Sequence, residues 1–283
     1  MSDSRQVSVV VPAFNEAAVI GEVVRGVAGV LAEAEILVVD DGSSDGTAAA
    51  AAAAGARVVR HPYNKGNGAA VKTGIREARG EIILLMDADG QHDPQDIPAL
   101  LAPMADHDMV IGARAARDQA FMRAAGNAFF QTLASWLTGR PIPDLTSGFR
   151  AARKDRLLSI LHLLPNGFSY PTTSCLAFLK AGLSVAFVPV RARPRVGVSK
   201  IRVARDGVRF LLIILKIVTL YSPLKVFFPV SCVAFTVGVL YAVWNVIAFH
   251  KIPMGAALLI QLAVVVFLFG LISEQIAASL DRK

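Results

Sequence analysis

Three times in its first ninety residues the sequence runs through a short apolar, mostly β-branched stretch and stops on a polar cluster. Val7 to Val11 ends at Pro12-Ala13-Phe14-Asn15-Glu16. Ile36 to Val39 ends at Asp40-Asp41-Gly42-Ser43. Ile82 to Met86 ends at Asp87-Ala88-Asp89. Val58-Val59 and Met109 to Ile111 add two further strand-like runs, and segments with helical apolar spacing (16–32, 43–54, 67–78, 96–105) lie between them. Strands alternating with helices across short connections predict βαβ units on a parallel sheet. Ligands of such sheets bind at the carboxyl ends of the strands, where the polar clusters fall. The first turn is not GxGxxG, which disfavours a dinucleotide oxidoreductase.

The C-terminal third obeys a different rule. Val226 to Phe249 is 24 residues without a formal charge, and Met254 to Ser273 is another 20, joined by His250-Lys251-Ile252-Pro253. At about 1.5 Å per residue either run matches a bilayer core of about 30 Å. These runs predict a transmembrane hairpin over 226–280, with helices at about 226–249 and 254–276. Before it, Arg202, Arg205, Arg209 and Lys216 punctuate an apolar stretch too short to span, which reads as an interfacial amphipathic segment over 201–225. Lys216 and Lys225 before the hairpin and Arg282-Lys283 after it place both termini and the first domain in the cytoplasm, on a multi-pass protein of the cytoplasmic membrane. MSDSRQ leads straight into the first strand without a signal-peptide pattern. Cys175 and Cys232 are the two cysteines, and Cys232 lies inside an apolar run, so a disulfide framework is not expected.

The net charge of +7 hides a split. Residues 1 to 113 carry 8 Lys+Arg and 16 Asp+Glu, whereas Arg114 to Lys225 carry 18 Lys+Arg and 4 Asp+Glu. Such a basic block suits nucleic acid, an anionic membrane surface or a phosphorylated substrate. It adjoins the membrane hairpin and lacks interleaved stacking aromatics, which disfavours nucleic acid.

In an extended chain residues i and i+2 point the same way, so Asp87 and Asp89 face one small volume beyond the sheet edge. Adjacent carboxylates repel unless a cation joins them, and Mg²⁺ or Mn²⁺ is the natural partner. Mg²⁺ is commonly held by one or two carboxylates plus substrate phosphates, which implies a diphosphate ligand. A solvated turn capped by Asp is the plainer alternative. His92 reads as loop structure more than as a ligand.

VPAFNEAAVI, VVDDGSSDGT, NKGNGAAVKTGI and LLMDADGQHDP, in that order and spacing, resemble a family 2 glycosyltransferase of the GT-A fold. The resemblance implies an α/β catalytic domain over residues 1–200: a Rossmann-like, mostly parallel sheet with flanking helices. It also implies a nucleotide-sugar donor with Mg²⁺ or Mn²⁺ on the DxD. By position, Pro12, Phe14 and Glu16 line the nucleoside pocket, Phe14 standing where many relatives carry Tyr. Val39, Asp40 and Asp41 reach base or ribose. Asp87, Ala88 and Asp89 complete the donor site. Asp89 and Gln91 are the nearest metal ligands, with Asp87 beside them.

IGARAARD, PDLTSGFRAARKD and RPRVGVSKIR resemble the dolichol-phosphate mannose synthase group of that family, whose acceptor is a polyprenyl phosphate, undecaprenyl or dolichyl. The resemblance implies Arg114, Arg195 and Lys200 as ligands of the donor diphosphate or acceptor phosphate, with Arg123 and Arg150 as further phosphate ligands. Arg193 could replace Arg195, whose spacing to Lys200 is one residue short. Arg117, Arg153 and Arg156 read equally as membrane-surface charge. Asp89, Arg114, Lys200 and Asp144 form the expected catalytic set. A phosphate monoester has a second pKa of about 6 and is already a nucleophile, so inverting attack on the sugar needs no side-chain base. If one is needed, Asp144 is available; otherwise it orients the TSGFR loop.

The expected activity is therefore transfer of a hexose from a nucleotide sugar, GDP-mannose first and UDP-glucose as the alternative, to a polyprenyl phosphate at the cytoplasmic face of the bilayer. A homo-oligomer is left open. A processive polysaccharide synthase would show Q-x-x-R-W, but neither Trp136 nor Trp244 follows an arginine. Other rivals are a transferase acting on a protein or soluble glycan, and a non-catalytic membrane-anchored module that binds nucleotide sugar or lipid.

Overall fold

The computed structural model describes residues 7–114, 131–136, 138–167, 169–191, 212, 214–216, 218–220, 222–251 and 253–280. The chain divides into two compact units, residues 1–211 and 212–283.

The first unit is built on a seven-stranded sheet in the order β3-β2-β1-β4-β6-β5-β7. Its strands are β1 Val7–Ala13, β2 Glu35–Asp40, β3 Arg57–Arg60, β4 Ile82–Leu85, β5 Met109–Arg114, β6 Arg150–Arg153 and β7 Val185–Val190. Every residue of β1 is buried, as a central strand covered on both faces requires. Val10 sits opposite Leu37 of β2 and Leu85 of β4. Helix α1 (Ile20–Val30) buries Ile20, Val23, Val24 and Val27. Helices α2 (Thr47–Ala53) and α3 (Asn67–Glu77) follow β2 and β3. A β-carbon on Gly74 of α3 would lie 2.2 Å from Val10 Cγ1, so α3 can sit this close to β1 only with glycine there. A short helix α4 (Ile97–Leu101), flanked by 3₁₀ turns, joins β4 to β5.

β6 runs antiparallel to both β4 and β5, while every other pairing is parallel. Consequently β1 to β5 and β7 all point their carboxyl ends to one edge. The chain enters β6 from that same edge, so the TSGFR segment before it is delivered beside the ends of β4 and β5. Neither β6 nor β7 is among the strands expected from the sequence. Arg-Ala-Ala-Arg carries no strand signature and is a strand because neighbours on both sides pair with it. β7 is an edge strand, which is where Pro189 is tolerated.

Two helix starts also differ from expectation. α1 begins at Ile20 rather than near 16, and α2 at Thr47 rather than 43. The residues in between are taken up by the strand-end loops. Beyond β6, α5 (Lys154–Ser159) and α6 (Tyr170–Lys180) complete the unit.

In the second unit, residues 212, 214–216 and 218–220 are helical, with Ile214 and Val218 fully buried. The expected amphipathic segment lies otherwise mostly outside the described residues. Two long helices follow, Leu224–Phe249 and Met254–Leu280. Their apolar windows are only 11% and 17% buried, and Leu240, Trp244, Ile247, Leu258, Phe269 and Ile272 are exposed. At about 1.5 Å per residue each helix spans about 39 Å or more, longer than the hydrocarbon core of about 30 Å. Paired apolar helices with greasy outer faces are a membrane anchor. Small residues set the pairing: a β-carbon on Gly238 would lie 2.9 Å from Ile260 Cγ1, and one on Gly270 2.8 Å from Phe227 Cβ. The first helix starts two residues earlier than expected and continues through Pro229. The second continues through Glu274, whose Oε2 accepts the Leu224 N–H at 3.0 Å and so caps the first helix.

Candidate active site at the strand ends

The ends of β1 and β2 are stitched together by their loops. Asn15 turns into the left-handed region at φ 56°. Its N–H donates to Ser43 Oγ and its side-chain oxygen accepts the Ser44 N–H, both at 2.9 Å. The Glu16 N–H donates to Thr47 Oγ1 at 2.9 Å and the Ala17 N–H to Asp45 Oδ2 at 3.2 Å. These bonds pin the two loops to each other and hold Phe14 and Glu16 at the sheet edge.

Asp40 and Asp41 are both buried but differ in role. Asp40 accepts the Ser43 N–H at 3.0 Å, and its Oδ2 lies 3.2 Å from Arg60 Nε as an ion pair without an aligned hydrogen bond. Arg60 also donates to the Ser43 carbonyl at 2.9 Å, so it ties the end of β3 to the loop after β2. Asp41 is a clamp. It accepts the Lys65 and Gly66 amides at 2.9 and 2.7 Å, and its Oδ1 is 2.7 Å from His61 Nδ1. His61 is held in turn by Thr73 Oγ1 at 2.9 Å. The expected Asp40-Asp41 pair thus separates into one residue at the pocket and one that fixes the loop after β3.

At the end of β4, Asp87 keeps 35% of its side chain exposed while the Asp89 residue keeps 8%. Asp89 Oδ1 accepts the Gln91 N–H at 3.2 Å, which fixes the turn through Gly90 at φ 71°. His92 is buried with its ring stacked on Phe149 at 4.9 Å, and its Nε2 is 3.5 Å from Asp87 Oδ2. Burial alone would raise the Asp87 pKa, but the contact with His92 and the charges of His92, Arg114 and Arg150 outweigh it and hold the pKa below the ordinary carboxylate value. The carboxylate also rests on backbone. A β-carbon on Gly148 would fall 2.4 Å from Asp87 Oδ2. Gly148→Ala is therefore expected to displace Asp87 and cut turnover about 10²-fold without unfolding the domain, checked by steady-state rates beside a thermal melt.

The third component comes from β5 and the TSGFR loop. Arg114 ends β5 and forks onto Asp144, with Nε to Oδ2 at 2.8 Å and Nη2 to Oδ1 at 3.2 Å, while Nη2 also donates to Thr146 Oγ1 at 2.8 Å. Asp144 has no exposed surface and accepts in addition the amides of Arg114, Thr146 and Ser147 at 3.2, 3.0 and 3.1 Å. Burial opposes its charge, but the Arg114 bonds and these amides lower its pKa below the ordinary value. A carboxylate saturated with donors and easily ionised is a poor proton acceptor. The geometry gives Asp144 the orienting role. Arg114 keeps 24% side-chain exposure at the same sheet edge as the DxD; burial opposes its charge, but the bonds and charge of Asp144, and then the charges of Asp87 and Asp89, raise its pKa.

Arg150 is a correction. Expected as a phosphate ligand, it has zero exposure, and its donors go to the Ser147 and Pro171 carbonyls and to Ser174 Oγ. Its charge sits behind Asp87, supporting the site from within. Arg153 and Arg156 lie beyond it, and Arg156 is 3.6 Å from both Asp108 and Asp155. Arg117, Arg123, Arg193, Arg195 and Lys200 fall outside the described residues. His61, His92, Gly148 and Thr146 are the residues that sequence reasoning undervalued. All four act through partners remote in sequence, except that His92 stands in the same run as the DxD.

The strand ends thus gather a carboxylate pair, a fixed arginine and the loops that carry Phe14, Glu16 and Asp40. Residues 8–160 match the family described as Glycosyl transferase family 2, and residues 222–279 match the GtrB C-terminal hairpin. The chain belongs to glycosyl transferase family 2. It is 34% identical over 154 residues to the dodecaprenyl-phosphate galacturonate synthase of Rhizobium johnstonii, covering 50% of this chain and 46% of that one. It is 33% identical over 168 residues to the undecaprenyl-phosphate 4-deoxy-4-formamido-L-arabinose transferase of Sodalis glossinidius, covering 56% and 52%. The matches span about half the length of these relatives. Glucosyl-3-phosphoglycerate synthase of Mycobacterium tuberculosis, solved with Mn²⁺, UDP and glucosyl-3-phosphoglycerate, shares the fold with a TM-score of 0.63 at 24% identity, over 75% of this chain and 80% of that one. The first unit is a GT-A domain, and the mostly parallel sheet with flanking helices expected from the sequence is the one found.

Among the described residues no three His, Cys, Asp or Glu side chains converge as a metal cage. The donor set at the end of β4, two carboxylates and an amide side chain, is the hard-oxygen type that suits Mg²⁺ or Mn²⁺ completed by phosphate oxygens and water. His92 beside Asp87 resembles the outer partners that orient metal-bound carboxylates. The residues present fit such an ion.

Proposed function

We propose that the protein transfers a hexose from a nucleotide sugar to a polyprenyl phosphate at the cytoplasmic membrane face, with both termini on that side. What carries the proposal is the meeting of Asp87, Asp89 and the Asp144-locked Arg114 at one sheet edge of a chain that also holds a membrane hairpin. Both curated relatives named above take a polyprenyl phosphate by name and differ in the sugar. Acceptor class and donor sugar therefore need separate assignment. GDP-mannose is the donor proposed, with UDP-glucose as the alternative.

Pro12, Phe14, Glu16, Val39 and Asp40 would form the nucleoside pocket, with Arg60 on Asp40 and with Asp41 fixing the neighbouring loop. A divalent ion held by Asp87, Asp89 and Gln91 would neutralise the diphosphate and stabilise its departure. Arg114 would grip a phosphate oxygen from the opposite side, its fork held in place before substrate arrives. Arg123, Arg195 and Lys200 are proposed as further phosphate ligands on the family resemblance alone. The acceptor phosphate oxygen would attack the anomeric carbon in line, inverting it, and the carbon–oxygen bond to the nucleotide diphosphate would break.

The test is transfer of radiolabelled sugar by purified protein in detergent, offered GDP-mannose or UDP-glucose with undecaprenyl phosphate and Mg²⁺ or Mn²⁺. Label should enter the lipid phase and be lost with EDTA. Label in a soluble or polymeric product instead would assign another acceptor. Binding of donor without turnover would favour the non-catalytic module.

A further inference from the structure

A polar cavity lies beside the loop that Asp41 holds. It has a volume of about 510 Å³ and opens between α3 and the loop after β3. Lys65, Lys72 and Arg76 line it, with Tyr63, Asn64 and Asn166. Among the described residues no carboxylate lines it. Among the described residues none of the three cations forms an ion pair, although this half of the chain carries 16 acidic residues against 8 basic ones. Three of those 8 cations therefore converge on one cleft without an acid.

Its backbone walls are held by hydrogen bonds. Asp41 pins the Lys65 and Gly66 amides, as above. The Gly68 and Ala69 amides donate to the carbonyls of Gly167 and Asn166 at 3.1 and 2.8 Å, fixing the opposite wall. Lys72 Nζ donates to the Leu164 carbonyl at 3.1 Å, which leaves two of its three donors. Burial, and then the charge of Arg76, lower the Lys72 pKa from its ordinary value. An anion would relieve both effects. The side chains of Lys65 and Arg76 are exposed and make no hydrogen bond among the described residues. Tyr63 stands at the mouth, 66% exposed, with Lys65 Nζ 5.8 Å from its ring centroid. Like charges held in a preformed concavity focus the field on an incoming anion. None of the six residues named here is among those expected at the donor site or in the DxD.

We propose that this cleft is a second anion site, which takes a phosphate group and is separate from the donor and acceptor phosphates of the transfer reaction. The phosphate is carried either by a soluble compound or by an anionic lipid headgroup. The probe is inorganic phosphate, titrated calorimetrically into the full chain in phosphatidylcholine nanodiscs with EDTA present. Saturable binding is expected. Lys65→Gln with Arg76→Gln should weaken it about tenfold or more, since a hydrogen bond to a charged group contributes about 1.5–3 kcal/mol. The melting temperature and the basal transfer rate should not change. Lys72→Gln alone should act in the same direction. Adding phosphatidylglycerol to the nanodiscs distinguishes the sources: a headgroup in the cleft suppresses phosphate binding in the wild type, whereas a soluble ligand's site binds phosphate unchanged. Absence of saturable binding, or equal affinity in wild type and variants, would overturn the proposal, the latter by placing the phosphate elsewhere.

Discussion

Asp89→Ala is expected to lower sugar transfer by about 10³-fold or more while the protein melts at nearly the wild-type temperature. Asp89 follows the last buried residues of β4, and its Oδ1 accepts the Gln91 amide at 3.2 Å. A hydrogen bond of this kind contributes about 1 kcal/mol, and a loss on that scale is tolerable for a domain with this core. The consequence for chemistry is larger. The carboxylate pair is the densest negative charge at the sheet edge, and removing half of it weakens any divalent ion and, through it, the diphosphate. The rate should not be rescued by raising donor concentration, because the missing interaction is made most strongly as the diphosphate leaves. Measured label in the lipid phase within tenfold of wild type, at equal protein, would remove Asp89 from the chemistry. Asp87→Ala should be less selective, since Asp87 also balances the buried Arg150 and the Arg114 fork. Its loss should show in the melt as well as in the rate.

The difference between these two aspartates was not legible in the sequence, although their presence was. Strands ending in polar clusters declare themselves locally: Val7–Ala13, Glu35–Asp40 and Ile82–Leu85 are apolar runs whose neighbours need not be known. The residues just past them were legible for the same reason. Contacts made across the fold were not. Arg150 reads as a phosphate ligand in a run with Arg153, Lys154 and Arg156, yet it is buried because the strand it begins is clamped between β4 and β5. Nothing in Arg-Ala-Ala-Arg signals that clamp. Asp41 reads as the twin of Asp40, yet His61 and the amides of Lys65 and Gly66 occupy it. The hairpin was legible almost to the residue, because length and absence of charge are sequence properties. Glu274, which reads as the end of a span, is instead a side chain reaching back to cap the first helix.

Asp144→Asn should destabilise the GT-A domain by about 3 kcal/mol, the low end for breaking a buried pair, because Arg114 keeps some exposure to water. An asparagine of the same shape can accept at one end only. Its amide group would face the Arg114 Nε or the donors of Thr146 and Ser147, so the fork and the TSGFR loop cannot both be kept. Arg114 then loses its fixed position beside Asp87 and Asp89, and transfer should fall with stability. This pairing of effects separates the two roles open to Asp144. Loss of a general base would lower the rate and leave the melt alone; loss of an anchor lowers both. The pH dependence adds a second check. The folded pKa of Asp144 is lowered, so its contribution is fully present above the unfolded value of about 3.9 and is lost as pH falls through the folded value. The stability gap between wild type and Asp144→Asn should therefore stay constant near neutrality and close in acid, below the ordinary aspartate range. A variant equal to wild type in melting temperature but inactive would return Asp144 to the chemistry as a base, against the saturated geometry at the end of β5.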